Sequence, residues 1–454
     1  MKSRIVAMPY AAPSMVLAPM AVTFYVFIPK LYADLGTIPL STLGVIVSAT
    51  RLWDAFIDPA VGKLSDRTST RFGPRKPWML GAALPLCACF LAFFFAEHLP
   101  GQYHASWFAA LSIAFFSFWA MFTIPYDALG QELETAYDER SRLFALRDGA
   151  TLVGTLLAAI VPAAALSFRS ATSAWTLWLW IAATYTVFFL TLSTWCVVST
   201  PVIVRPRAQR NSEKSAKKRV QDCFRNEHFR LLIVAYAIAS FGGALPASLF
   251  LFYVEHILKS DQGTAFLALY FIAGIVTLPF WVHAAKRIGK KRAWLTALLL
   301  NAGGFLGVAF LSAGASGAYS ALIAVSGIGY GASVVLPSAM QADVLDAEEL
   351  RVGERRDGEM LGLWSLAKKT SAAIGTGLAL WLLGRAGFQP NQTEQTESAL
   401  RVLRLLYCVV PCLCTFASVV LIRRYSLSKE AHTNNLALLA VQRQQRFTKV
   451  PSCL

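Results

Sequence analysis

Asp54 and Asp58 stand four residues apart in an otherwise apolar run, Trp53-Asp54-Ala55-Phe56-Ile57-Asp58-Pro59. That spacing puts both carboxylates one turn apart on one helix face, and Arg51, three residues before Asp54, adjoins it. Two close carboxylates repel, and a proton or monovalent cation between them relieves the repulsion. The pair therefore has the chemistry of a coupling-ion site, with oxygen ligands whose charge is balanced only when the ion is bound. The competing reading is a structural network in which Arg51 neutralises one aspartate and ties the segment to a neighbour. Beyond a proton or sodium ion here, the sequence predicts no cofactor and no metal. Lys368 and Lys369, about ten residues into another apolar run, are too deep for easy snorkelling. Lys369 has either a functional role or a structural ion pair within the bundle. Asp127 follows Pro125 and Tyr126. It is either an acid beside a proline kink, lining a cavity or gate, or the wet end of its helix. Arg147, beside Asp148, is either a gating or substrate residue or a charge reaching for headgroups.

The elements that position these residues follow from composition. The chain has 454 residues, 56% hydrophobic and only 15% charged, with mean hydropathy +0.50, whereas soluble domains are about 25% charged. Apolar runs of about 20 residues, the length of a bilayer crossing, fall at 9–33, 41–62, 78–97, 106–130, 148–168, 174–199, 231–254, 264–284, 293–312, 318–340, 359–384 and 402–422. An all-α membrane protein with twelve transmembrane helices is predicted; a soluble enzyme, a β-barrel and a single-anchor protein are excluded. Charged residues inside such spans cost at least about 2.5–3.5 kcal/mol each, which makes them candidates for function.

A net charge of +16 suggests nucleic acid in a soluble protein, but here its placement decides. Only Arg169, Lys259, Arg385 and Arg401 fall on one side; the other loops and both termini carry nearly all the rest. Both termini are expected in the cytoplasm, in a multi-pass plasma-membrane protein (the inner membrane of a Gram-negative bacterium), with the bilayer and no nucleic acid as partner. The six histidines are scattered, with no His-Glu-x-x-His pair and no Gly-x-Ser-x-Gly elbow, so the sequence argues against an enzyme.

A basic stretch, 200–230, divides the chain into bundles 1–199 and 231–422, with a tail at 423–454. The halves echo each other. A basic turn follows span 2 (Gly62, Asp66, Arg67, Arg71, Gly73, Arg75) and another follows span 8 (Lys286 to Arg292). Spans 4 and 10 each end on a proline, Pro125 or Pro337, followed by acids and arginines. A duplicated six-helix unit explains the echo, and transporters so built place their site between the repeats.

The Gly62 to Lys76 segment resembles the signature between helices 2 and 3 of the major facilitator superfamily. Asp54 to Pro59, the Arg71 to Trp78 turn, Arg147 and Gly353 to Lys369 more narrowly resemble the glycoside-pentoside-hexuronide:cation symporters, the melibiose-permease group. The resemblance implies the major facilitator fold and cation-coupled symport of a sugar, glycoside or related small molecule by alternating access, with Gly62 to Arg75 as a conformational loop. It implies that Asp54 and Asp58 hold the cation and that Lys369 matches the family's helix 11 lysine, a cation placed to balance Asp54 or Asp58 in the empty carrier.

There are departures. Ile57 replaces an amide and Ala120 a hydroxyl, which favours proton over sodium because sodium wants several oxygens. Ala18 and Thr123 stand where sugar-binding members carry acids, against the same galactoside pose. Tyr126 and Trp364 offer rings for a substrate or for packing. The Pro125-Tyr126-Asp127-Ala128-Leu129 run also resembles the lysolipid-carrying branch, so an amphiphile, an uncoupled facilitator and a transporter-like receptor stay open. A monomer is expected.

Overall fold

A computed structural model describes residues 2–133, 137–167, 174–202, 221–352 and 357–427, with Asn434, Asn435 and Leu438 beyond them. Among the described residues every regular element is a helix. Nine helices there are long and apolar enough to cross a membrane, and a tenth candidate is the pair Gly263–Val276 and Leu278–Ile288, bent by 41°. Two further long helices, Lys290–Val308 and Asp357–Arg385, pack among them. Helices suit this chain because hydrocarbon offers no partner to backbone N–H and C=O groups, which must be satisfied within the segment. The outer surface is accordingly apolar, with Phe310, Val198 and Val276 exposed. The interior is aromatic: Phe24 stacks on Phe115 at 5.1 Å and meets Phe93 and Phe116 edge-on.

Several helices outrun their apolar runs. The expected span 41–62 is part of Leu40–Arg67, 106–130 of Gly101–Leu133, and 318–340 of Ser316–Val352. Hydropathy marks where lipid ends, whereas a helix stops only where its backbone bonding does. Apart from Leu64, Lys63 to Arg67 are polar, but they contain no breaker, and the chain becomes extended only at Thr68, with φ −72 and ψ 128. Gly62, Asp66 and Arg67 are thus helical rather than loop residues. The connection that follows is short and turns at Gly73, whose φ of +84 favours glycine.

The expected linker 200–230 is also shortened. A helix begins at Glu227, capped by Asn226, whose Oδ1 accepts from the Phe229 N–H at 3.1 Å and whose Nδ2 donates to Glu348 at 2.7 Å. Residues 203–220 of that stretch, and Arg355 and Arg356 after the second acidic turn, lie outside the described residues.

Leu40–Arg67 packs against Asp357–Arg385. Burial of apolar surface drives no association inside a bilayer, so close van der Waals contact between small residues does. A Cβ on Gly44 would lie 2.7 Å from the Gly377 carbonyl and 2.8 Å from the Trp381 nitrogen, and Gly384 lies against the Ser41 backbone. Ser48 Oγ donates to the Ala373 carbonyl at 3.4 Å. Residues 41, 44 and 48 therefore meet 384, 377 and 373 in antiparallel order, and the same register carries Asp54 and Asp58 to the level of Lys369.

Candidate functional site

One ammonium joins the two helices where the small-residue contact ends. Lys369 Nζ lies 3.0 Å from Asp54 Oδ2 and 2.5 Å from Asp58 Oδ2. The positions 54 and 58 face it because they share a helix stripe, and Lys368, the next residue, turns away and is exposed. The Asp54 side chain is 5% exposed, that of Asp58 18% and that of Lys369 30%. The other oxygen of each acid, Oδ1, is shielded from solvent and has no hydrogen-bond partner. A buried acceptor left unmade costs about 1–3 kcal/mol, and more when it is charged. Two such oxygens beside one ammonium leave the trio with a net charge of −1 and unused acceptor capacity on both acids. Pro59, Ala60 and Lys63, further along the same helix, are exposed.

Arg51 forms no ion pair with either aspartate, both of which pair with Lys369. Its guanidinium carbon lies 3.4 Å from the centroid of the Tyr25 ring and 5.6 Å from that of Phe116. A cation over an aromatic face is attracted by the ring quadrupole. The sequence pointed to Arg51 by its depth but carried no sign that Tyr25 would be its neighbour.

The acid and base of spans 4 and 5 find each other. Arg147 Nη1 donates to Asp127 at 2.9 Å and Nη2 to Asp148 at 2.8 Å, with the guanidinium over the Phe144 ring at 4.6 Å. Asp127 is not at a helix end, since the helix runs on to Leu133 through Pro125. Thr123 bonds back within its helix to the Trp119 carbonyl at 2.9 Å.

Tyr126 is enclosed by its neighbours in this conformation. It is 2% exposed, stacks on Tyr10 at 4.8 Å and donates to the Tyr10 carbonyl at 2.5 Å, with Ser14 Oγ at 2.8 Å. Trp364 is likewise enclosed, stacked on Tyr236 at 4.2 Å within a core cluster containing Trp281, Trp294 and Met340.

The basic turns act as ties. Arg75 donates to Glu132 from Nε at 3.0 Å and Nη2 at 2.8 Å, and Nη1 meets Asp66 at 2.6 Å and Ser65 at 2.7 Å. Burial opposes the Arg75 charge, yet the bonds to Glu132 and Asp66 hold the guanidinium above its ordinary value. Arg71 lies over the Phe72 ring at 4.8 Å. In the second half Lys290 donates to Asp343 at 2.6 Å and to the Ala339 carbonyl at 3.2 Å. A basic turn reaching an acid at the end of the second helix onward thus recurs, and Glu132 is a partner the sequence did not single out.

At the other end Lys30 pairs with Asp34 on its own helix and with Glu255 of Glu227–His256 at 2.7 Å. A cavity of about 940 Å³ lies there, lined by Lys30, Asp34, Glu255, His256 and Trp178. It is separate from the Asp54, Asp58 and Lys369 trio.

Residues 9–429 match the family described as MFS/sugar transport protein. The chain is 27% identical over 415 residues to the glucuronide carrier protein homolog of Escherichia coli, covering 88% of each chain. It is 25% identical over 394 residues to a putative sulfoquinovose importer of Salmonella typhimurium, covering 85% of this chain and 82% of that one. The crystal structure of the nucleoside transporter NupG superposes with a TM-score of 0.60 at 11% identity, covering 93% of this chain and 100% of that one, which shows the fold. These proteins are carriers, and the chain is a transporter rather than an enzyme. It belongs to the MFS/sugar transport protein family, in the glycoside-pentoside-hexuronide:cation symporter-like branch of the major facilitator superfamily.

Proposed function

We propose that the chain is a secondary active symporter that couples a cation to a sugar-like solute, with Asp54 and Asp58 as the cation site and Lys369 as its internal counter-ion. The observation that carries this reading is the pair of partnerless buried oxygens, Asp54 Oδ1 and Asp58 Oδ1, beside a single ammonium. A proton on one carboxylate, or a sodium ion between them, cancels the residual charge. It also weakens the hold of Lys369 on Leu40–Arg67.

The magnitude favours coupling. Unit charges about 4 Å apart interact by about 4 kcal/mol at an effective dielectric of 20, and reversing a two-state equilibrium from 1:99 to 99:1 takes about 5.5 kcal/mol. Loading the cation supplies a large part of that, and solute binding supplies the remainder, so neither ligand alone completes the switch. The proton is the preferred ion, because Ile57 and Ala120 offer no side-chain oxygen to complete a sodium cage.

The proposed architecture is twelve crossings in two six-helix halves, 1–199 and 231–422, with both termini cytoplasmic and a multi-pass placement in the plasma membrane. The paired ties Arg75–Glu132 and Lys290–Asp343 support the repeat. The conformer fits a carrier closed on its outer side, where Lys30 meets Glu255 and Gly44 meets Gly377. The solute class follows the relatives. A glucuronide bears a carboxylate and sulfoquinovose a sulfonate, both on a hexose ring.

The test is uptake of labelled glucuronide, glucoside and lysolipid into proteoliposomes under an imposed pH gradient or an imposed sodium gradient. Accumulation of a sugar driven by the pH gradient and abolished by a protonophore is expected. Accumulation driven by sodium and indifferent to a protonophore would replace the proton with sodium, and passive equilibration alone would make the chain a facilitator.

A further inference from the structure

Arg51 is the charged side chain of the central region that the cation site does not use. Among the described residues no carboxylate pairs with its guanidinium, and its Nε is shut off from solvent with no hydrogen-bond partner. Asp54, one turn along the same helix, gives its bonded oxygen to Lys369. A guanidinium carries five N–H donors in a fixed plane. Burying one in a membrane domain without an anion is costly, so it is retained for a purpose. The Tyr25 face at 3.4 Å, with Phe116 at 5.6 Å, holds the guanidinium carbon, and among the described residues its N–H edge makes no hydrogen bond. An edge of that shape matches a carboxylate or sulfonate in two parallel hydrogen bonds, a geometry a lysine cannot reproduce.

We infer that Arg51 is the specificity-determining residue of the solute site: it takes the acid group of a monoanionic sugar derivative, with Tyr25 as its backing plate, and discriminates against the neutral sugar. This rests on the sugar-symporter reading and sharpens it.

Charge arithmetic ties the anion to the cation. Arg51, Lys369, Asp54 and Asp58 together sum to zero. The cation alone neutralises the trio but leaves the Arg51 charge without its balance, so the centre stands at +1; the anion alone leaves it at −1, and both together restore neutrality. Within a low-dielectric region an unbalanced charge is strongly disfavoured. Each ligand therefore raises the affinity for the other by the same factor. Symport of one monovalent cation with one monoanion is then electroneutral.

The test is equilibrium binding to the purified full-length protein of phenyl β-glucuronide and its neutral twin phenyl β-glucoside, which differ only at the acid group. Wild type is expected to bind the glucuronide at least about tenfold more tightly. Arg51→Gln should lose that preference, and Arg51→Lys should retain only part of it. Proteoliposome uptake of the glucuronide should be insensitive to an imposed membrane potential. If wild type binds the glucoside as well as the glucuronide, or Arg51→Gln keeps the preference, the assignment of Arg51 is overturned while the sugar reading stands. If neither sugar binds wild type, the sugar reading and this inference fall together. If Arg51→Gln does not fold, Arg51→Lys carries the comparison, and an undiminished preference in that variant overturns the assignment.

Discussion

Lys369 Nζ reaches Asp58 Oδ2 at 2.5 Å across 311 residues of sequence, and with Asp54 Oδ2 at 3.0 Å it pins Leu40–Arg67 to Asp357–Arg385 at the end of their tightest contact. The ammonium is shared, so neither aspartate is fully balanced. In the symport mechanism proposed above, the trio is both a lock between two helices and the receptor for the cation, so that loading the cation changes the lock.

Removing the ammonium leaves two buried carboxylates one turn apart. Lys369→Gln should lower stability by about 3–5 kcal/mol, the range for a buried pair broken on one side. Lys369→Gln with Asp58→Asn should recover part of that loss. Thermal unfolding of the four proteins in a double-mutant cycle measures it, and strictly additive losses would show that Lys369 and Asp58 act independently.

At the proposed outer end the Lys30–Glu255 pair joins Val6–Asp34 to Glu227–His256. Lys30 is 10% exposed at its side chain and Glu255 50%, so the pair is worth about 1 kcal/mol. Glu255→Gln should shift the equilibrium toward outward opening by about fivefold. The rate at which a membrane-impermeant maleimide alkylates a cysteine placed at Leu251, which lines the cavity beside this pair, reports the shift. An unchanged rate would mean that the pair does not latch the two helices.

Gly377 has no room for a side chain, because a Cβ there would collide with Ser48 Oγ and lie 2.7 Å from the Gly44 carbonyl. Gly377→Val should wedge the helices apart and lower stability by about 1–3 kcal/mol. Gly362 lies on the same helix with nothing within 4 Å of its Cβ position, and Gly362→Ala should be tolerated. Melting temperatures of the two variants side by side check the helix contact.

Asp54 and Asp58 were legible because a four-residue spacing of acids in an apolar run has few innocent explanations, and Lys369 because of its depth. Their meeting is encoded in no local pattern, since the contact spans 311 residues, and only the resemblance of Lys369 to the family's helix 11 lysine pointed to it. Arg51 shows a subtler limit: its charge and depth are visible in the sequence, but the choice between Asp54 and the Tyr25 ring depends on where the first helix lies. Helix length escaped for another reason. Gly62, Asp66 and Arg67 lie beyond the apolar run yet within Leu40–Arg67, because hydropathy reports the solvent of a segment and not its hydrogen bonding. The sequence leaves Tyr126 between a substrate contact and packing, and the approach of Tyr10 and Ser14, which encloses it, depends on where the first helix lies.

The cation site stands or falls on concentrative uptake and energy-independent counterflow of one labelled glucuronide, measured in the same proteoliposomes, for wild type, Asp54→Asn and Asp58→Asn. Each substitution takes one carboxylate charge from the trio, so cation loading no longer relieves an imbalance. Loss of cation-driven accumulation in both variants, with counterflow retained in at least one, is predicted. Accumulation at wild-type levels in both variants would contradict the assignment of Asp54 and Asp58 as the cation site.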